Sequence, residues 1–242
     1  MTLLRDHDLS AAFDHGSLAY DRLVAVNPGY HRDLRRSARR LGLADGGRGL
    51  RLLDLGCGTG ASTAALLAAA PHAEIVAVDA SAGMLERAAA KRWPAGVTFV
   101  HAPVEAMEGP SAHGRFDAAL AAYLFRNVSD PDRVLGAVRE LLRPGGRLAV
   151  HEYALGDGRA PRAVWSAVCG AVVVPAGLLA GDAALYRHLR RSVLEFDTAA
   201  GFATRLRRAG FRAVRALPQP GWRTGITHTF VARAPGAAGE RA

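Results

Sequence analysis

Residues 52 to 60 read Leu-Leu-Asp-Leu-Gly-Cys-Gly-Thr-Gly. A short apolar run breaks into three glycines at alternate positions, and a run of helix formers follows from Ala61 to Ala70. That order predicts a strand, a tight turn and a helix start. Glycines let the backbone approach a ligand closely, and the N–H groups at a helix start favour a negative group. The turn is therefore expected to bind a nucleotide-like cofactor.

Two cofactor classes fit such a turn. Gly56-Cys57-Gly58-Thr59-Gly60-Ala61 satisfies the dinucleotide pattern, and Asp79 follows about 20 residues on. NAD is the alternative this pattern allows. Asp54 favours the other class. It stands two residues before the first glycine, where a carboxylate would repel a pyrophosphate. S-adenosylmethionine has no phosphate; its ammonium and sulfonium would be attracted there. Asp79 ends the next apolar run, Ile75-Val76-Ala77-Val78, and is placed to accept hydrogen bonds from ribose hydroxyls.

Along the chain, short apolar runs alternate with helical patterns. Strands are expected at Arg51 to Leu55, Glu74 to Val78, Val97 to Val100, Ala118 to Ala122 and Arg147 to His151. Ser81 is placed to cap the helix that carries Met84 and Leu85, and Asp130-Pro131 starts another. The spacing predicts an α/β fold, a parallel sheet with helices on both faces. Asp197 is placed to cap a helix to Ala209, followed by strands at Arg212 to Leu217 and Gly225 to Arg233 that close the sheet as an antiparallel pair. Residues 1–48 read as a helical lid, 49–234 as the core domain and 235–242 as a disordered tail.

Composition narrows the setting. A length of 242 residues suits one domain, and half of them are hydrophobic. Cys57 and Cys169 cannot make a disulfide framework, so the chain reads as a cytoplasmic protein. The N-terminus has no apolar core of a signal peptide. The net charge of +9 rests almost wholly on arginine, Lys91 being the lone lysine. Such runs as Arg35, Arg36, Arg39 and Arg40 read as solvated helix faces, with peripheral contact to anionic lipid as the further possibility and no nucleic acid expected. Trp165 to Ala180 is strongly apolar but broken by Gly170, Pro175 and Gly177, too short and interrupted to span a bilayer. It is expected to pack partly on the core and partly around an apolar substrate channel, or against a membrane surface. No Cys/His cluster has metal spacing, and no metal is expected.

The motifs resemble those of the ubiquinone/menaquinone C-methyltransferase family, within the class I S-adenosylmethionine-dependent methyltransferases. The glycine turn with Val78-Asp79-Ala80-Ser81 resembles the cofactor half of that class. Phe13-Asp14 with Ala19-Tyr20-Asp21, Phe125-Arg126-Asn127-Val128-Ser129-Asp130, Leu142-Arg143-Pro144-Gly145-Gly146-Arg147-Leu148 and Tyr186-Arg187-His188-Leu189 through Ser192 are similar, in order, to further motifs of the family. The resemblance implies a Rossmann-like, seven-stranded, mostly parallel sheet and S-adenosylmethionine as donor. It implies methylation of an aromatic carbon on a lipophilic phenolic or quinol ring. Tyr20 would lie over the methionine end of the cofactor. Asp54, Gly56, Cys57 and Gly58 would line it, with Asp79 and Ala80 at the ribose, Met84 and Val104 at the adenine, and Ala121 nearby. His101-Ala102-Pro103-Val104 departs from the acidic or amide residue usual after the third strand, and Trp222 to Phe230 departs on the substrate side. The departures leave open a secondary-metabolite acceptor, methylated at oxygen or carbon.

An aromatic carbon becomes nucleophilic when its ring hydroxyl loses a proton, and a cation favours that state. Arg126, just past the fourth strand, is expected to stabilise the phenolate or order a water as base, with Asn127 positioning it and Tyr123 lining the acceptor pocket. His151 and His31 are further general-base candidates.

Overall fold

The computed structural model describes residues 29–107, 114–173 and 183–236. Helix α1 is Tyr30–Arg39, followed by β1 Arg51–Leu55, α2 Ala61–Ala69, β2 Glu74–Asp79, α3 Ala82–Ala89 and β3 Val97–His101. Then come β4 Phe116–Ala122, α4 Pro131–Leu141, β5 Leu142–Tyr153, α5 Arg159–Val168, α6 Ala183–Glu195, α7 Ala199–Arg208, β6 Arg212–Pro218 and β7 Thr227–Arg233.

The seven strands form one sheet in the order β3-β2-β1-β4-β5-β7-β6. Strands β1 to β5 pair in parallel; β7 runs antiparallel to both β5 and β6. This is the α/β sheet expected from the sequence, including its antiparallel closing pair. The central strands are buried on both faces, and their side chains divide with period two. Leu53, Leu55, Ala119 and Ala121 face one core with Val134, Val138 and Phe202. Leu52, Ala118 and Leu120 face the other with Leu34, Ala38 and Leu66. Small side chains in β4 leave room for the flanking helices.

The chain order reverses between β1 and β4. From β1 it crosses outward to β2 and β3, then returns to β4 on the opposite side. Ligands of open α/β sheets bind in the crevice at the carboxyl ends of the strands at such a point. The glycine turn leaves β1 there, and Tyr123 to Asn127 leave β4 beside it.

Local signals account for most element ends. The Ser81 hydroxyl accepts from Met84 N at 3.1 Å, the cap expected for α3. Asp130 accepts from Arg133 N at 3.0 Å, with Pro131 opening α4. The cap of α7 differs from the sequence reading. Thr198, not Asp197, accepts from Gly201 N at 3.1 Å, because Asp197 is drawn into an ion pair with Arg205 at 2.6 Å. Strand β5 runs two residues past the expected end at His151 and brings Glu152 and Tyr153 into the sheet. The expected helix before residue 29, the tail from 237 and residues 174–180 of the apolar stretch lie outside the described residues.

Candidate active site

The cofactor half is built from the ends of β1 and β2. Gly56, Gly58 and Gly60 have φ of 67°, 54° and 90°, left-handed values that suit residues without a Cβ. The turn's amides are directed into the protein. Gly56 N and Cys57 N both donate to Val78 O, at 2.8 and 3.0 Å, and Gly60 N donates to Cys57 O at 2.9 Å. Gly58 N donates to Asp79 Oδ2 at 2.7 Å, and Ser81 N to Asp79 Oδ1 at 2.9 Å. Lys91 Nζ braces the turn by donating to Thr59 O at 2.7 Å. Four amides that a pyrophosphate would need are thus already engaged, which counts against a dinucleotide.

Asp54 supplies the opposite condition. It is fully buried, and its Oδ2 accepts from Ser62 Oγ at 2.9 Å and Thr63 Oγ1 at 2.7 Å. Its Oδ1 is buried with no hydrogen-bond partner. Burial pushes the carboxyl up to about 7, against the hydroxyls of Thr63 and Ser62, and the neighbouring charge of Asp79 adds to the rise. A buried carboxylate with an unused oxygen calls for a cation or donor. A Cβ built on Gly58 meets nothing within 4 Å, so space is open over the turn. The residues therefore fit a cofactor with a cationic end. Both Asp79 oxygens accept backbone bonds, which fixes the carboxylate at the end of β2.

The remaining cofactor candidates fall into two groups. Met84 and Val104 are buried near the ends of β2 and β3, and the Ala80 carbonyl receives His101 Nε2 at 3.0 Å. The Cys57 and Ala121 side chains turn inward instead. Cys57 packs with Ala77 and Leu85, and burial raises its thiol, leaving it un-ionised. Ala121 lies in the core beside Leu55. Tyr20 lies outside the described residues.

The acceptor half lies at the ends of β4 and β5, where Tyr123, Arg126 and Asn127 come together. Tyr123 has φ of 57°, unusual for a residue with a Cβ. This conformation accompanies a carbonyl that receives both Arg126 Nη1 at 2.8 Å and Asn127 Nδ2 at 3.0 Å. Asn127 Oδ1 meets His188 Nε2 at 3.2 Å, tying α6 to the site. Leu124 joins the two halves: a Cβ on Gly56 would come within 3.0 Å of its Cδ1.

Arg126 is paired with Glu152, a residue that sequence reading passed over. Arg126 Nη1 donates to Glu152 Oε1 at 2.6 Å, and Glu152 is fully buried. Burial pushes the Glu152 carboxyl above its ordinary range, and Arg126 with two backbone N–H groups offsets only part of that rise. Rings enclose the pair. The guanidinium lies 5.5 Å from the Tyr123 ring and 5.6 Å from the Tyr153 ring, and Trp165 packs against Tyr153 at 5.0 Å. Tyr30 of α1 stacks on Tyr123 at 5.6 Å. The available signal in the sequence was an acid within an apolar strand, Ala149-Val150-His151-Glu152-Tyr153.

His151 joins a buried hydrogen-bond network. Its Nδ1 lies 2.9 Å from Ser37 Oγ and 3.4 Å from Gln219 Nε2, and Ser37 Oγ meets Thr229 Oγ1 at 2.7 Å. Its Nε2 is hydrogen-bonded to the Tyr123 hydroxyl at 2.9 Å. Burial, with Arg223 and Arg40 nearby, lowers His151 to about 3, and burial raises Tyr123 well above its ordinary value. Both are neutral, and each is engaged by the other. His31 is exposed on α1, edge-on to Tyr30.

Comparisons with known proteins agree with this arrangement. The model of the ubiE/COQ5 methyltransferase family matches residues 1–228. The chain is similar to demethylmenaquinone methyltransferase of Clavibacter sepedonicus, at 35% identity over 85% of this chain and 83% of that protein. It is equally similar to the ubiquinone/menaquinone biosynthesis C-methyltransferase UbiE of Syntrophotalea carbinolica, at 35% identity over 86% and 87% of the two chains. Among solved structures, the [4+2]-cyclase SpnF superposes with a TM-score of 0.70 at 18% identity over 98% of both chains. A methyltransferase of Thermotoga maritima, described as a possible histamine N-methyltransferase, superposes with a TM-score of 0.64 at 18% identity, covering 93% of this chain and 99% of that one. These two likenesses concern the fold alone. By the family match and the two relatives, the chain belongs to the ubiE/COQ5 methyltransferase family.

Proposed function

We propose that this chain transfers a methyl group from S-adenosylmethionine to a ring carbon of a lipophilic phenol or quinol, of the demethylmenaquinol type. The names of its relatives support the acceptor class. One structural observation carries the reading: a buried, incompletely paired Asp54 stands at the switch point beside a ring-lined Arg126–Glu152 pair. The first suits a cationic donor and the second an aromatic hydroxyl.

When bound, the cofactor supplies an electrophilic methyl group. Asp54 attracts its charged end, and Asp79 holds ribose hydroxyls. Met84, Val104 and Ala80 line the adenosine side, while Gly56, Cys57 and Gly58 keep the turn thin enough for close approach. Tyr20, from the N-terminal segment, covers the methionine end. Residues 1–48 act as a lid on the 49–234 core. Methyl transfer in line needs alignment and exclusion of water more than chemical assistance. Tyr123, Tyr153 and Trp165 give the acceptor ring apolar walls. Arg126 faces the developing phenolate, and Asn127 holds the Tyr123 carbonyl that orients Arg126.

The acceptor's lipophilicity points to peripheral work at an anionic membrane. Among the described residues no helix is long and apolar enough to cross a membrane. Trp222 is 54% exposed and packs on Arg223 at 5.1 Å. The exposed Arg32 and Arg35 lie on nearby α1. Attraction of such a face to anionic headgroups is screened by salt. Sedimentation with phosphatidylglycerol vesicles is expected at low salt and lost at high salt; binding equal to that on neutral vesicles contradicts this reading. The methyl-transfer function is tested by labelled-methyl incorporation into a demethylated quinol.

A further inference from the structure

Glu152 uses its two oxygens unequally. Oε1 accepts from Arg126 Nη1 at 2.6 Å and from Tyr153 N at 2.9 Å. Oε2 takes a single long bond, from Arg126 N at 3.4 Å, among the described residues. An ionised carboxylate has about four acceptor positions. Glu152 is 0% exposed, so bulk water does not solvate the charge. A charge buried this deeply is costly unless its bonds are made. The neighbours that could otherwise act as bases are committed. Tyr123 Oη and His151 Nε2 are hydrogen-bonded to each other at 2.9 Å.

We propose that Glu152 is the general base of the reaction, its Oε2 taking the hydroxyl proton of the acceptor ring while Arg126 remains as counter-ion to the phenolate. The inference rests on the phenolic acceptor proposed above. The ring O–H bond breaks, its electron pair stays on the ring oxygen, and the hydrogen joins Oε2. Negative charge moves from one side of the Arg126 guanidinium to another, and no net charge is created in a dry site. That balance favours an Arg–Glu pair over a lone carboxylate or a lone arginine. Once methylated, the ring carbon loses its own hydrogen as a proton to solvent as the site opens for product release. The ring oxygen recovers the proton held on Glu152, so one proton leaves per turnover.

The test uses the wild-type protein saturated with S-adenosylhomocysteine, with 1-naphthol as the probe. Difference ultraviolet spectra report whether the probe binds as naphthol or naphtholate. Calorimetry in two buffers of different ionisation heat counts the protons released. The expected result at pH 7 is bound naphtholate with almost no proton release, and neutral naphthol bound by Glu152→Gln. Labelled-methyl transfer by Glu152→Gln is expected to fall about 100-fold or more, with affinity for S-adenosylhomocysteine unchanged. Neutral naphthol in the wild type, naphtholate with one proton released, or no binding of the probe overturns the assignment of Glu152. Wild-type protein that methylates no phenolic ring overturns the acceptor reading itself, and Glu152's role with it.

Discussion

Asp54 was legible as the donor-side carboxylate because its place in the turn carries the information. Its buried state adds a pH dependence. The folded carboxyl titrates near 7 against an ordinary value of 3.8. A raised carboxyl binds its proton more tightly folded than unfolded, so it stabilises the fold at acidic pH and that stability is lost between about pH 4 and pH 7. The loss is about 4 kcal/mol for the free protein by the size of the shift. A cationic ligand prefers ionised Asp54. Affinity for S-adenosylmethionine is therefore expected to rise from pH 5.5 to pH 7.5, and Asp54→Asn to weaken binding at least tenfold at pH 7.5 while stabilising the free protein. Calorimetric titration at both values checks this; affinity equal at the two pH values contradicts it. Tyr123→Phe leaves the buried His151 Nε2 without its Tyr123 hydroxyl partner and is expected to cost about 1–3 kcal/mol in urea denaturation. The partners of that histidine come from α1 and β7, far apart in sequence, so their convergence was not legible before the fold was known. Glu152 was missed for a related reason: a charged residue after an apolar run reads as the strand's end, and only a buried partner from the turn after β4 shows otherwise.

The glycine turn separates packing from binding at the scale of the element. A Cβ at Gly60 would come within 2.7 Å of Trp93 Cζ2, whereas at Gly58 it would enter open space. Both glycines have positive φ, so an alanine at either carries backbone strain of about 1–2 kcal/mol. Gly60→Ala is expected to lose further stability by collision with Trp93, seen as the larger drop in thermal midpoint. Gly58→Ala is expected to keep most of its stability and lose cofactor affinity, because the added methyl fills the space over the turn. Equal cofactor affinity in Gly58→Ala and wild type contradicts the placement. Strand β1 and helices α3 and α4 were readable from apolar runs and capping residues. The N-cap of α7 was not, since Asp197 and Thr198 are both good caps and the choice was made by Arg205, eight residues and about two helix turns away.

Across the whole molecule, the order of strands brings Asp54 and Glu152 to the same edge of the sheet with only β4 between their strands. Adjacent strands are about 4.8 Å apart, so the two carboxylates stand on strands about 10 Å apart laterally. That span suits a donor and an acceptor set end to end. Helix α1 is fastened over this edge by Ser37 to His151 and by a buried ion pair between Asp33 and Arg223. Arg223→Ala leaves buried Asp33 with its longer contacts to Arg36 at 3.5 Å and Arg32 at 3.9 Å, and is expected to cost about 1.5–3 kcal/mol in urea denaturation. A loss under 1 kcal/mol contradicts the role given to that pair. The parallel order of the sheet and its closing antiparallel pair were legible from alternation of strands and helices. The docking of α1 was not, because its ties reach across most of the chain.

Methyl transfer itself gives the most direct test. Purified protein is incubated with methyl-labelled S-adenosylmethionine and a lipid extract from cells that accumulate demethylated quinones, and the products are divided between hexane and water. Label in the hexane phase, on a quinol ring carbon by fragmentation, is the predicted result. Cofactor binding with all label left in water contradicts a lipophilic ring acceptor.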